Sequence, residues 1–218
     1  LYYIKRYDEA WMLMNQALDI AIQIDNKKQI VACHKQLYYL CREFKRMMNE
    51  RGDEQASTLF FRESLLHEMY FSEKPRLAEL TVRYEALRCD IMQQYYMNKD
   101  YDNVIRIATS LDFHDDADPN ASCLVYYYKA QAYVKLENYP MAKEAFFREL
   151  ELRKKYLGWE EEDTILACQN LGVLHSFCNE REEALACFRE AYGHEVKKNG
   201  EDSEMAQKLL QYISVVES

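Results

Sequence analysis

Five histidines (His34, His67, His114, His175, His194) and seven cysteines (Cys33, Cys41, Cys89, Cys123, Cys168, Cys178, Cys187) are the side chains best suited to nucleophilic, acid–base or metal chemistry. Their spacing does not assemble it. No two histidines stand four apart, as an H-E-x-x-H zinc helix needs, and no C-x-x-C occurs. The nucleophile elbow, the phosphate loop and the dinucleotide loop, each dependent on glycines at fixed spacing, are also absent. The cysteines are odd in number and fall mostly at apolar helical positions, which lack the electropositive access a thiolate nucleophile needs. They read as reduced core thiols of a cytoplasmic protein rather than a disulfide framework. Asp116, Asp118 and Asn120 open like a calcium loop, but its glycine and its later bidentate glutamate are missing. With Pro119, the same residues suit a helix N-terminus, where carboxylates meet the positive end of the dipole. The expectation is no catalytic set, no metal and no cofactor.

The 218 residues carry a net charge of −9 and a pI near 5.2. That balance disfavours nucleic acid, whose binders need a basic face. Lys35, Arg42, Lys45, Arg46 and Arg51 do cluster on one helical stretch. Such a run reads as a solvated face, with a dock for an acidic segment as the alternative. No run of 18 apolar residues exists to span a membrane. Five glycines and three prolines leave little to interrupt helices. Pro75, Pro119 and Pro140 fall at predicted helix starts, and Gly52, Gly158 and Gly200 in predicted turns. Gly193 has no evident role.

These residues are carried by helical hairpins. Between Val125 and Tyr156, small Ala130 and Ala142 stand where two backbones must approach, and Tyr133, Tyr139 and Phe146 fill the space beside them. The pattern returns 42 residues later at Gly172, Ala184 and Phe188. Looser copies occur at Tyr101–Val104, at Ala56–Phe60 and at Tyr7–Ala10. The markers Ala10, Ala56, Val104, Ala142 and Ala184 have a mean spacing of 43.5 residues, longer than the ~34 of a tetratricopeptide (TPR) repeat. The small–Tyr–Tyr–Ala–Phe spacing nevertheless resembles that repeat. The Leu157-Gly158 linker and Asn170-Leu171-Gly172 are similar to the elongated repeats of the kinesin light chain class.

The resemblance implies an all-α, right-handed superhelix of four to five hairpins in one domain spanning 1–218. Its repeats are a partial one at 1–25, then 27–71, 75–111, 119–156 and 161–198, with a capping helix at 202–217. Residues 1–25 would comprise a helix tail, a turn near Lys5–Arg6 and a helix from Tyr7 to Ile24. The opening inside a hairpin leads us to expect a piece of a longer protein. A quasi-one-dimensional stack of this kind has one continuous core and needs a polar end cap.

Function, on this resemblance, belongs to the concave groove lined by the first helix of each hairpin. Counted from the small notch residue, groove positions fall at Tyr127, Tyr128, Gln131, Val134 and Lys135, and again at Gln169, Asn170, Val173, Ser176 and Phe177. The degenerate repeat offers Cys89, Asp90, Gln93, Tyr96 and Met97; an earlier one, with Cys41 as its notch, offers Tyr38, Tyr39, Arg42, Lys45 and Arg46. In the kinesin light chain kind, the asparagine matching Asn170 hydrogen-bonds a bound peptide backbone, which an amide can do whatever the peptide sequence. The carboxylate clamp of chaperone-binding TPRs is not matched, because Tyr127 and Gln131 take two of its places. The expected function is a non-catalytic protein- or peptide-binding scaffold. The alternative is a regulatory or sensor segment of a larger, bacterial-type signalling protein or transcription regulator, binding a small peptide or its own neighbouring domain. Neither a membrane nor nucleic acid is an expected partner.

Overall fold

The computed structural model describes the backbone of residues 2–72, 81–109 and 118–218, and the side chains of 9–72, 86–109 and 118–218. Every regular element among them is an α-helix. In chain order these are α1 (Tyr2–Gln23), α2 (Lys27–Glu50), α3 (Glu54–Glu68), α4 (Thr81–Met97), α5 (Tyr101–Thr109), α6 (Pro119–Lys135), α7 (Tyr139–Tyr156), α8 (Glu162–Phe177), α9 (Arg181–Asn199) and α10 (Glu204–Glu217). Two compact units result, one built on α1–α4 and the other on α5–α10.

The helix starts are written in short polar side chains. Asn26, Asp53, Asp118, Asn138 and Ser203 each accept a hydrogen bond from the backbone N–H three residues on, satisfying a donor that has no partner within the helix. Asp118 is therefore a cap (3.0 Å from the Ala121 N–H), while Asp116 and His114 lie outside the described residues. Pro119 and Pro140 sit in first turns, where a missing N–H costs nothing.

The turns repeat as faithfully as the helices. Glu137 and Asn179, 42 residues apart, both adopt left-handed backbone (φ 58° and 60°). The Asn138 N–H then reaches the Tyr133 carbonyl, and the Glu180 N–H the His175 carbonyl, each at 2.9 Å. A non-glycine residue held at positive φ is strained on its own, so these two hairpins share one backbone solution.

In the α5–α10 unit the small residues do what their spacing requires. Ala130, Ala142 and Ala184 are fully buried, with Phe146, Leu150, Ile165, Cys168, Leu171, Leu174 and Phe188 around them. Gly172 is the notch: a Cβ there would sit 2.8 Å from Phe188 Cε1. From α10, Leu209 enters this core and Tyr212 stacks on Phe188 with centroids 5.1 Å apart. None of the seven cysteines is joined in a disulfide.

The α1–α4 unit departs from expectation at its start. Helix α1 runs unbroken from Tyr2 to Gln23, with no turn at Lys5–Arg6. The reason is local, since no glycine, proline or asparagine occurs before Asn15 to interrupt it. The predicted helix start at Pro75 and end at Leu111 lie outside the described residues. Phe44 and Phe60 stack at 4.8 Å between α2 and α3, with the Trp11 ring edge-on to both.

Candidate functional site

A cleft opens between α6 and α8, the first helices of successive hairpins, over a floor contributed by α7. Its volume is about 250 Å³, and it is lined by Gln131, Val134, Tyr139, Phe146, Asn170, Val173, Leu174 and Phe177. Gln131 stands one residue after the Ala130 notch and Asn170 two before the Gly172 notch. The core packing that orients those notches therefore aims both amides outward. Val173 is 42% exposed and Phe177 65%, although a free helix would gain by covering them. The Phe177 ring lies 5.1 Å from that of Tyr139 at the turn end of the cleft. Ligand pockets for small molecules run to ~300–1,000 Å³, so this cleft is sized for one or two side chains of a longer ligand. Two amides among apolar walls offer paired donors and acceptors beside a place for an apolar group.

Of the residues singled out from sequence, Gln131, Val134, Asn170, Val173 and Phe177 come together here. Tyr127 turns inward, half-buried, edge-on to Phe146 at 6.4 Å and to Tyr128 at 5.4 Å. Gln169, at the same place in the next hairpin, is buried too, so the position three before the notch serves packing in both. Lys135 is exposed at the last residue of α6 and does not line the cleft. On α4, Gln93 is exposed and Tyr96 half-buried.

Arg42 and Lys45 line a different cleft, between α2 and α3, with Glu43, Arg46, Asn49, Phe61 and Ser64. Much of its positive charge is already engaged. Arg46 pairs with Glu43 (2.9 Å) and Glu50 (2.7 Å) on its own helix. Arg42 donates to the Tyr38 hydroxyl, and the Lys45 ammonium lies 4.5 Å from the centre of the Phe61 ring.

The described histidines each meet a polar or aromatic partner. His175 Nδ1 lies 2.6 Å from Glu180 Oε2, and Glu180 also accepts from Lys143 of α7. Lys143 first, then His175, hold the Glu180 carboxyl below its ordinary range. His194 stacks flat on Trp159 at 4.0 Å. In the other unit, His34, Cys41, Glu63 and His67 are all fully buried. Sequence spacing left these four apart, because they come from two helices whose facing was not legible. Only Glu63 and His67, four apart on α3, carried a visible signal.

No protein-family model matches the chain, nor does any curated protein. The architecture defines an all-α helical-repeat protein. Among solved structures, the chain is similar to BtubC (BKLC) from P. vanneervenii, with 14% identity over 96% of this chain and 82% of that one and a TM-score of 0.53. At such identity the likeness speaks for the fold.

Proposed function

We propose that the chain is a TPR-like, non-catalytic scaffold that holds a peptide segment of a partner protein in the α6–α8 cleft. An apolar side chain of the peptide seats between Val134, Val173 and Phe177, while Gln131 and Asn170 pair with its backbone. The observation that carries this reading is the joint presentation of two amides and exposed Val173 and Phe177 around one cleft of side-chain size. Apolar groups left open beside a few convergent polar ones mark a recognition surface. The free thiols fit a reducing compartment,.

The test is fluorescence polarisation with a positional-scanning library of labelled peptides, each carrying one apolar anchor. Asn170→Ala should weaken the best binders about tenfold, the ~1.4 kcal/mol of one peptide hydrogen bond. Val173→Glu should abolish binding, by placing a charge where the anchor sits. Equal affinity of both variants and wild type would remove the cleft from consideration.

A further inference from the structure

The α2–α3 pair buries side chains for which apolar packing has no use. Cys41 Sγ, a Glu63 carboxylate oxygen and a His67 ring nitrogen all lie within 4.8 Å of one another, and all three residues are buried. Glu63 Oε1 and His67 Nε2 are 3.6 Å apart. A point about 2.1 Å from each, the ordinary Zn–O and Zn–N length, subtends roughly 120° between them. Cys41 Sγ, within 4.8 Å of a donor atom on each, supplies the third ligand, whose ordinary bond to zinc is about 2.3 Å,.

The outward atoms of the two α3 residues are tied back. His67 Nδ1 lies 2.9 Å from His34 Nδ1, and the His34 ring stacks on Tyr70 at 3.7 Å. Glu63 Oε2 accepts from the Tyr95 hydroxyl at 2.6 Å. Each group thus has one atom anchored by an outer partner, and the remaining two, Glu63 Oε1 and His67 Nε2, face each other at 3.6 Å. Outer partners orient metal ligands in this way.

The other unit shows what the same helix positions do without such a cluster. Glu149 and Arg153 of α7 correspond to Glu63 and His67 at the 86-residue offset that also relates Ala56 to Ala142 and Phe60 to Phe146. There the arginine itself answers the glutamate, Nε to Oε1 at 2.8 Å. In α3 that permanent cation is replaced by an imidazole, and a thiol stands nearby.

We propose that Cys41, Glu63 and His67 form a binding site for a borderline divalent cation, zinc foremost, with His34 and Tyr95 orienting the ligands. Thiolate and imidazole donors favour zinc over the oxygen-seeking calcium and magnesium. One thiolate, one carboxylate and a divalent ion sum to zero, the charge an enclosed site tolerates best. Binding releases the Cys41 proton to solvent. Arg88, also buried, lies two turns before Tyr95 on α4. None of the groove residues takes part in this site, which is independent of peptide binding.

The full chain, stripped with chelator, is titrated with zinc chloride by calorimetry and with cobalt chloride by absorption spectroscopy. One equivalent of zinc should bind, and cobalt should give a thiolate charge-transfer band with tetrahedral d–d absorption. Cys41→Ser, which keeps size, and His67→Gln should each weaken zinc binding at least 100-fold. His34→Gln should weaken it by about 10- to 100-fold, and Cys187→Ser not at all. If His67→Gln fails to fold, zinc-edge X-ray absorption of the wild type decides, with one sulfur at about 2.3 Å expected. Absence of stoichiometric zinc, a shell without sulfur, or unchanged affinity in Cys41→Ser would each overturn the site.

Discussion

Gly172 and Gly193 both lie within helices of the same unit, yet alanine should act oppositely at the two positions. A Cβ at Gly172 would stand 2.8 and 3.0 Å from Phe188 Cε1 and Cδ1, and 3.0 Å from Cys187 Cβ; at Gly193 it would meet nothing within 4 Å. Phe188 cannot swing clear, being 1% exposed and stacked on Tyr212, and the Cys187 Cβ moves only with the α9 backbone. In either helix alanine gains ~1 kcal/mol over glycine from propensity. At Gly193 that gain stands alone. At Gly172 it is set against ~1–3 kcal/mol of overpacking. Subtracting the two variants cancels the propensity term and leaves the steric one, so Gly172→Ala should be ~1–3 kcal/mol less stable than Gly193→Ala. The comparison is made by urea and thermal unfolding followed by far-ultraviolet circular dichroism, where each kcal/mol moves Tm by ~2–4 °C. Adding Phe188→Leu to Gly172→Ala should recover part of the loss, a coupling of about 1 kcal/mol absent with Gly193→Ala. If Gly172→Ala proves as stabilising as Gly193→Ala, the two helices do not meet at this notch and the facing of Asn170 loses its support.

Glu149 gives a pH signature. Burial first, against the opposing Arg153, raises its carboxyl from 4.5 to about 7. Between those values the folded chain keeps a proton that the unfolded chain has released, so stability falls as pH rises through the window and levels off above it. Wild-type stability relative to Glu149→Gln should therefore drop on the order of 1–3 kcal/mol between pH 4.5 and 7.5; a flat difference in urea midpoints would refute this. Asp118→Ala should cost ~1 kcal/mol by removing the α6 cap, measured in the same way, and no loss would show that the cap is redundant. Val173→Glu should leave Tm within about 1 °C of wild type while peptide binding is lost, because its side chain is solvent-facing; a large fall in Tm would show a core role instead.

The hairpins at 119–156 and 161–198 were legible because one residue type answers each physical need. Alanine or glycine stands where backbones touch, an aromatic fills the flank, and proline sits where an N–H is dispensable. Counting outward from Ala130 and Gly172 located Gln131, Asn170 and Phe177, since a helix fixes direction once one face is known. It did not resolve Tyr127, whose long ring follows the seam between helices. At the N-terminal end the pattern misled. Tyr7 and Ala10 invited a turn at Lys5–Arg6 where nothing breaks the helix. Ala10 and Ala56 are only half-buried, whereas Val104, Ala142 and Ala184 are fully enclosed. The Cys41, Glu63 and His67 cluster was out of reach because it depends on how α2 is rotated against α3, and the weak marker at Ala56 did not define that rotation.

The bond from Lys143 through Glu180 to His175 joins the start of α7 to the loop that ends α8, beside the touching rings of Tyr139 and Phe177. Farther along, Lys154 of α7 reaches Glu190 of α9 at 3.0 Å. Singly, such surface pairs contribute little, yet they fasten neighbouring hairpins at two separated points. With the two hairpins fastened together, the α6–α8 slot has a set gauge, so it should sort incoming side chains by bulk rather than widen to admit them. Acid strong enough to protonate Glu180 would slacken that end and blunt the discrimination.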